Sequence, residues 1–79
     1  MTREVKISLE SIEKVKKFVS IVMEFDTDID LISGRHVIDA KSILGVFSIN
    51  LSNPIILRMN ADEEKRNEIL ECIKEFIVA

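Results

Sequence analysis

A single cysteine, Cys72, stands in the 79-residue sequence. That excludes an internal disulfide and any zinc site built on several cysteines, and it fits a reducing compartment. The only glycines are Gly34 and Gly45, so no glycine-rich phosphate loop exists. One proline, Pro54, is present, with no Pro/Gly-rich linker, internal repeat or low-complexity tract. Apolar runs are only a few residues long, too short to cross a membrane. Met1–Glu4 lacks the apolar stretch of a signal peptide, so a cytoplasmic location is the expectation. The one histidine, His36, has no cysteine near it in sequence, and it reads as a surface residue rather than a catalytic or phosphoaccepting one. Asp26, Asp28 and Asp30 alternate, but neither the glycine nor the glutamate of a calcium loop follows them. No metal site or other cofactor is implied, and enzymatic activity is not expected.

What is present describes a small globular domain. Residues are 47% hydrophobic and 32% charged, which excludes a disordered chain. One domain spanning residues 1–79 is expected, with a core burying roughly 60% of the unfolded chain's surface. The formal net charge of −3 argues against nucleic-acid binding, which needs a basic face. Lys14, Lys16 and Lys17 cluster, but Glu10, Glu13 and Glu24 flank them as on a solvated helix face.

Glu4 to Leu9 alternates, with Val5, Ile7 and Leu9 pointing one way, the pattern of a half-buried strand. From Ser11 to Phe25 the period changes. Ile12, Val15, Phe18, Val19, Val22 and Met23 recur at helical steps, with Ser11 as N-cap and Glu13 in the first turn. Asp28–Ser33 reads as a second strand with Ile29 and Leu31 inward. Gly34 then turns a hairpin into Arg35–Asp39, where Asp39 reads as a strand-end residue. A short helix starts at Ser42, and Asn50–Pro54 is dense in turn formers. Ile55–Met59 is a fourth strand. Asn60 with Glu63 reads as a capping pair for a last helix, whose inward stripe is Ile69, Leu70, Cys72, Ile73, Phe76 and Ile77. The order β-α-β-β-α-β-α, with one apolar face per helix, predicts an α+β fold with all helices on one side of a four-stranded sheet.

The chain is organised around Ala40–Leu51. Ser42 occupies the start of the short helix with Lys41 before it, so its hydroxyl is placed to cap free N–H groups. A phosphate there would meet the positive end of the helix dipole. Ile43, Leu44, Val46 and Phe47 are more apolar residues than one inward stripe needs, so some are expected to face solvent or a partner.

The run Lys41-Ser42-Ile43-Leu44-Gly45-Val46-Phe47-Ser48 resembles the HPr family, the small phosphocarriers of the bacterial sugar phosphotransferase system. In the Gram-positive type, a Lys-Ser-Ile-Met-Gly-Val-Met-Ser run holds a regulatory serine. The similarity extends in register from about Phe25 to Ala61, where Phe25-Asp26-Thr27-Asp28-Ile29 resembles a Tyr-Asp-Ala-Asp-Val run of the family. The resemblance implies an open-faced sandwich, three helices over a four-stranded antiparallel sheet. It also implies that Ser42 matches the serine phosphorylated by an ATP-dependent HPr kinase, with Lys41, Ile43, Leu44 and Phe47 in the partner-docking segment.

The family's phosphoacceptor is missing. Relatives carry a Gly-Ile/Leu-His-x-Arg-Pro segment between first strand and first helix. Here that segment is Leu9-Glu10-Ser11-Ile12-Glu13-Lys14, with Ser11 at the histidine's position, Glu13 at the arginine's and Lys14 at the proline's. A serine ester is too stable for fast onward transfer, and Glu13 repels an incoming phosphoryl group. The expectation is a non-carrier regulatory module like the histidine-less paralogues of the family. It would dock a kinase and a transcriptional regulator through the Ser42 helix. The alternatives are a phosphocarrier using Ser11 or His36, and a structural domain that keeps only the fold.

Overall fold

In the computed structural model, residues 2–78 are described, Thr2 through its backbone alone. Four strands, β1 (Thr2–Ile7), β2 (Asp28–Ser33), β3 (His36–Asp39) and β4 (Ile55–Asn60), form one antiparallel sheet in the order β1-β4-β2-β3. Three helices, α1 (Ile12–Val22), α2 (Ile43–Phe47) and α3 (Glu63–Cys72), complete the architecture, with a 3-10 turn at Lys74–Phe76. This is the open-faced α+β sandwich that the resemblance implies, with the helices on one side of the sheet as the element order predicts.

Strand alternation decides which face is covered. Val5 pairs with Leu57, Leu57 with Leu31, and Leu31 with Ile38, so one row crosses the whole sheet on the helix side. Ile7, Ile29, Ile55 and Met59 flank it, and all four are buried. Val15, Phe18, Val19 and Val22 of α1, Val46 of α2 and Ile69 of α3 close the core from above. Phe18 meets Phe76 edge to face, ring centroids 5.6 Å apart. The opposite face is uncovered. It carries a row Lys6–Ile56–Ile32–Val37 and a row Glu4–Arg58–Asp30–Asp39, in which Arg58 Nη2 lies 3.4 Å from Asp30 Oδ2.

Several boundaries differ from the sequence reading for identifiable reasons. β1 stops at Ile7, although Leu9 stays fully buried. Beyond that point the backbone pairs with the chain's own tail: Ser8 N–H donates to Phe76 O at 2.8 Å. The first helix ends at Val22, because Glu24 and Phe25 N–H groups reach back only three residues, to Ile21 and Val22 carbonyls, and tighten the last turn. Ile12 and Met23, read as inward, are 60% and 63% exposed at the two ends of α1. Arg35 belongs to the hairpin turn, not to β3. Gly34 has φ 60°, and among the described residues no non-glycine adopts positive φ, which is the type II′ pattern with glycine first.

The third helix is capped differently as well. Asn60 ends β4, paired with Thr2 and Asp28, and Asp62 is the N-cap, its carboxylate accepting from Lys65 N–H at 2.8 Å. Cys72, read as a small core residue, is exposed where α3 ends. The chain tightens there into the 3-10 turn, which rotates Ile73 and Phe76 inward and leaves Ile77 at the surface. Ser11 is the N-cap of α1 as read, accepting from Lys14 N–H at 3.1 Å.

Two stability predictions follow from this geometry. A Cβ at Gly34 meets no atom within 4 Å, so Gly34→Ala is penalised by its backbone conformation alone, about 1 kcal/mol in urea unfolding. Asp62→Ala loses about 1 kcal/mol of cap energy, whereas Asn60→Ala stays within about 0.5 kcal/mol; equal losses at the two positions would contradict the cap assignment.

Candidate functional site

Five residues are too few for a helix to persist in water on its own. α2 exists because the chain holds it at both ends and from below. At its start Ser42 has extended backbone angles (φ −95°, ψ 101°), the N-cap geometry. Its Oγ accepts from Gly45 N–H at 3.2 Å and its carbonyl accepts from Val46 N–H at 2.9 Å. The preceding turn is fixed through Asp39: its Oδ1 accepts from Lys41 N–H at 2.9 Å, and its carbonyl accepts from Ser42 N–H at 3.0 Å. At the far end, Ser48 Oγ donates to Gly45 O. From below, Val46 is fully buried, and α2 packs against both β3 and α1.

The other three apolar residues of α2 do not join the core. Leu44 is 80% exposed, Phe47 39% and Ile43 38%. The structure thus brings together the sequence-predicted segment Lys41, Ser42, Ile43, Leu44 and Phe47 on one short helix and its cap. Ser42 itself is exposed. Gly45 matters here for space rather than for φ. A Cβ built on it would lie 3.2 Å from Ser42 Oγ and 3.7 Å from the Ile38 Cβ, so glycine is what leaves room around the hydroxyl.

Charge around the cap is mixed. Lys41 is half-buried and lines a shallow recess with Thr27, Asp28, Asp30 and Asp39. A negative group on Ser42 would therefore lean chiefly on the unpaired N–H groups of the first turn. Among the described residues, no three His, Cys, Asp or Glu side chains come together as a metal site, and no helix is long and apolar enough to cross a membrane.

The remaining candidates sit apart from this segment. Ser11 is at the start of α1, half-buried, with its oxygen used by the cap. His36 is exposed at the first position of β3, on the hairpin. One of the exposed side chains read as inward lies beside Ser11. Ile12 stands at the first position of α1, directly after the cap, where a residue has little of the core to reach. Its place in the first turn is the signal that would have marked it.

Comparison with known proteins places these features. A family model described as the PTS HPr component phosphorylation site matches residues 12–79, beginning one residue past Ser11. The phosphocarrier protein HPr of Bacillus anthracis superposes with a TM-score of 0.73 at 23% identity, over 99% of this chain and 96% of that one. The histidine-containing phosphocarrier protein of Mycoplasma gives 0.72 at 15% identity, over 95% and 89%. Crh, the catabolite repression protein of Bacillus subtilis seen as a swapped, intertwined dimer, gives 0.62 at 20% identity, over 95% and 90%. At these identities the likeness is one of fold. Among curated protein sequences none matches. The family match runs from the first turn of α1 through α2 to the end of the chain, and on it the chain belongs to the HPr family, the phosphocarrier proteins of the phosphotransferase system.

Proposed function

We propose that this chain is a single HPr-like domain, residues 1–79, acting in the cytoplasm as a non-carrier regulatory module. It docks protein partners through α2 and is switched by phosphorylation of Ser42. The observation that carries this reading is the division of α2, with Val46 buried and Ile43, Leu44 and Phe47 turned outward around an exposed capping serine. A helix needed only to cover the sheet has no use for a leucine 80% in water. The regulatory theme is supported at the level of fold by Crh, whose name ties it to catabolite repression.

The switch is chemically simple. A kinase moves the γ-phosphoryl of ATP onto Ser42 Oγ, the hydroxyl proton leaves to the kinase's base, and ADP departs. The ester adds about −1.5 to −2 charge and three strong acceptor oxygens beside the helix N-terminus. Those oxygens compete for the Gly45 N–H that Ser42 Oγ now holds at 3.2 Å. They also change the charge of the surface that Ile43, Leu44 and Phe47 present. Partners are an HPr kinase-like enzyme and, in the regulatory complex, a transcriptional regulator.

Carrier activity through the family's usual position is not supported by the residues there. Ser11 Oγ is committed to the Lys14 N–H, and Glu13 follows in the same turn. A carboxylate two residues away opposes the approach of a phosphoryl donor.

Two labelling reactions test the reading, each resolved by mass spectrometry. A Gram-positive HPr kinase with ATP is expected to place phosphate on Ser42. Enzyme I with phosphoenolpyruvate is expected to leave the chain unlabelled, and phosphate on Ser11 or His36 in that arm would overturn the non-carrier assignment. Leu44→Asp is expected to keep stability within about 0.5 kcal/mol, as surface changes do, while cutting the rate of Ser42 phosphorylation at least about tenfold, or about 1.4 kcal/mol. An unchanged rate would remove α2 as the docking surface.

A further inference from the structure

The sheet has two edges, and they are treated differently. β1 is partly covered by the chain's own tail: Val78 N–H donates to Lys6 O at 2.9 Å, Ser8 N–H to Phe76 O at 2.8 Å, and Ile7 bridges Ile77. β3 pairs with β2 on its inner side and, among the described residues, with no strand on its outer side. Ala40 N–H donates to Ile29 O at 2.9 Å, which sets the phase of the β2–β3 ladder. Antiparallel pairing alternates, so Ile38 and His36 bond inward while Val37 turns its N–H and carbonyl outward and Asp39 its N–H, the Asp39 carbonyl accepting from Ser42 N–H at 3.0 Å. Val37 is 56% exposed on the uncovered face of the sheet, in line with Ile32 and Ile56. No proline breaks this edge, and the apolar row runs right up to it.

The charges along the edge are self-complementary about one residue. Arg35 lies two positions before Val37 and Asp39 two positions after it. Antiparallel pairing of two copies centred on Val37 sets Val37 opposite Val37 and brings the turn residue Arg35 of each copy level with Asp39 of the other, twice by symmetry. Among the described residues Arg35 forms no ion pair. Asp39 faces Asp30 across β2, and Arg58 already pairs with Asp30 at 3.4 Å. A second Arg35 therefore supplies a cation that Asp39 lacks within its own chain. Centring the pair on Ile38 instead would set Arg35 against Lys41 and use backbone groups already bonded to β2. Of these two registers, the one about Val37 alone opposes unlike charges through outward backbone groups.

We infer that a second copy of this chain pairs antiparallel along β3, centred on Val37. The pairing makes one continuous eight-stranded sheet from two four-stranded ones. Val37 N–H donates to the second copy's Val37 carbonyl, and the Val37 carbonyl accepts the reciprocal bond from the second copy. Ile56–Ile32–Val37 of each copy join into one apolar row on the uncovered face. The interface leaves α2 outside it, so it does not depend on the regulatory reading above.

Sedimentation of the full chain over a wide concentration range, at about 0.15 M salt, reads the association directly. Reversible dimerisation is expected. Asp39→Arg and Arg35→Asp are each expected to weaken it at least about tenfold, and the double exchange to restore it to within about threefold of the original. Asp39 also holds the Lys41 turn, so Val37→Pro serves as a second probe; it deletes an outward N–H, spares the β2 ladder and should leave a folded monomer. In a Cys72→Ser background, Val37→Cys should oxidise to a covalent dimer, because paired residues of this kind sit about 5.5 Å apart between Cα atoms, within disulfide reach. A chain monomeric at every concentration overturns the inference. So does a dimer that survives both Asp39→Arg and Val37→Pro, or one lost in Leu44→Asp but not in Val37→Pro.

Discussion

Leu57 is the residue the rest of the structure depends on. It lies fully buried in the central strand, opposite Val5 on one side and Leu31 on the other, and Leu31 carries the row on to Ile38. A row of branched side chains across all four strands is what fixes register, since a slip of one residue would send each of them to the water-facing side. The helices can then be short and still be held. α2, with five residues, contributes one buried side chain and borrows the rest of its order from Asp39, Ser42 and Ser48.

That division of labour explains how the fold persists at low sequence identity. The core asks for apolar residues at alternating strand positions and on one stripe of each long helix, and many sequences satisfy it. The strand-to-helix junction at Ser11 and the exposed side of α2 are not under that demand. Position 11 needs only a side-chain oxygen to cap α1, which Ser11 supplies to the Lys14 N–H. The scaffold can therefore be kept while the residue at that junction varies, and the family match rests on residues 12–79 rather than on Ser11.

Much of this was legible in the sequence, and the remainder was not for specific reasons. Period-two alternation in Val5, Ile7 and Leu9, and three- to four-residue steps from Val15 to Val22, report which face is buried, because burial acts on each residue locally. Ser42 and Ser11 were readable as caps, since a serine before an apolar helical run has few other uses there. Asn60 was misread because Asn60 and Asp62 are both good capping residues two positions apart. What separates them is the pairing of Asn60 with Thr2 and Asp28, contacts to remote stretches of chain. Cys72 followed the helical stripe on paper, but the helix ends at that residue and the 3-10 turn changes the phase. The openness of β3 was also invisible, because it follows from a strand order that is not the order of the chain.

The two exposed apolar features have different physical standing. Leu44 protrudes from a helix, not from a strand edge, so a partner there would meet side-chain area and the charge state of Ser42. Such a surface suits a partner that must be released, because removing one charge or adding a phosphate alters most of what it presents. Val37 sits on an edge strand, and in the proposed pairing main-chain bonds would supply the affinity while Arg35 and Asp39 would select the register. A phosphate on Ser42 would change the first surface and leave the hydrogen-bonding groups of the second as they are. Both proposed contacts border the turn that Asp39 holds, but only the one on α2 would answer to a charge on Ser42.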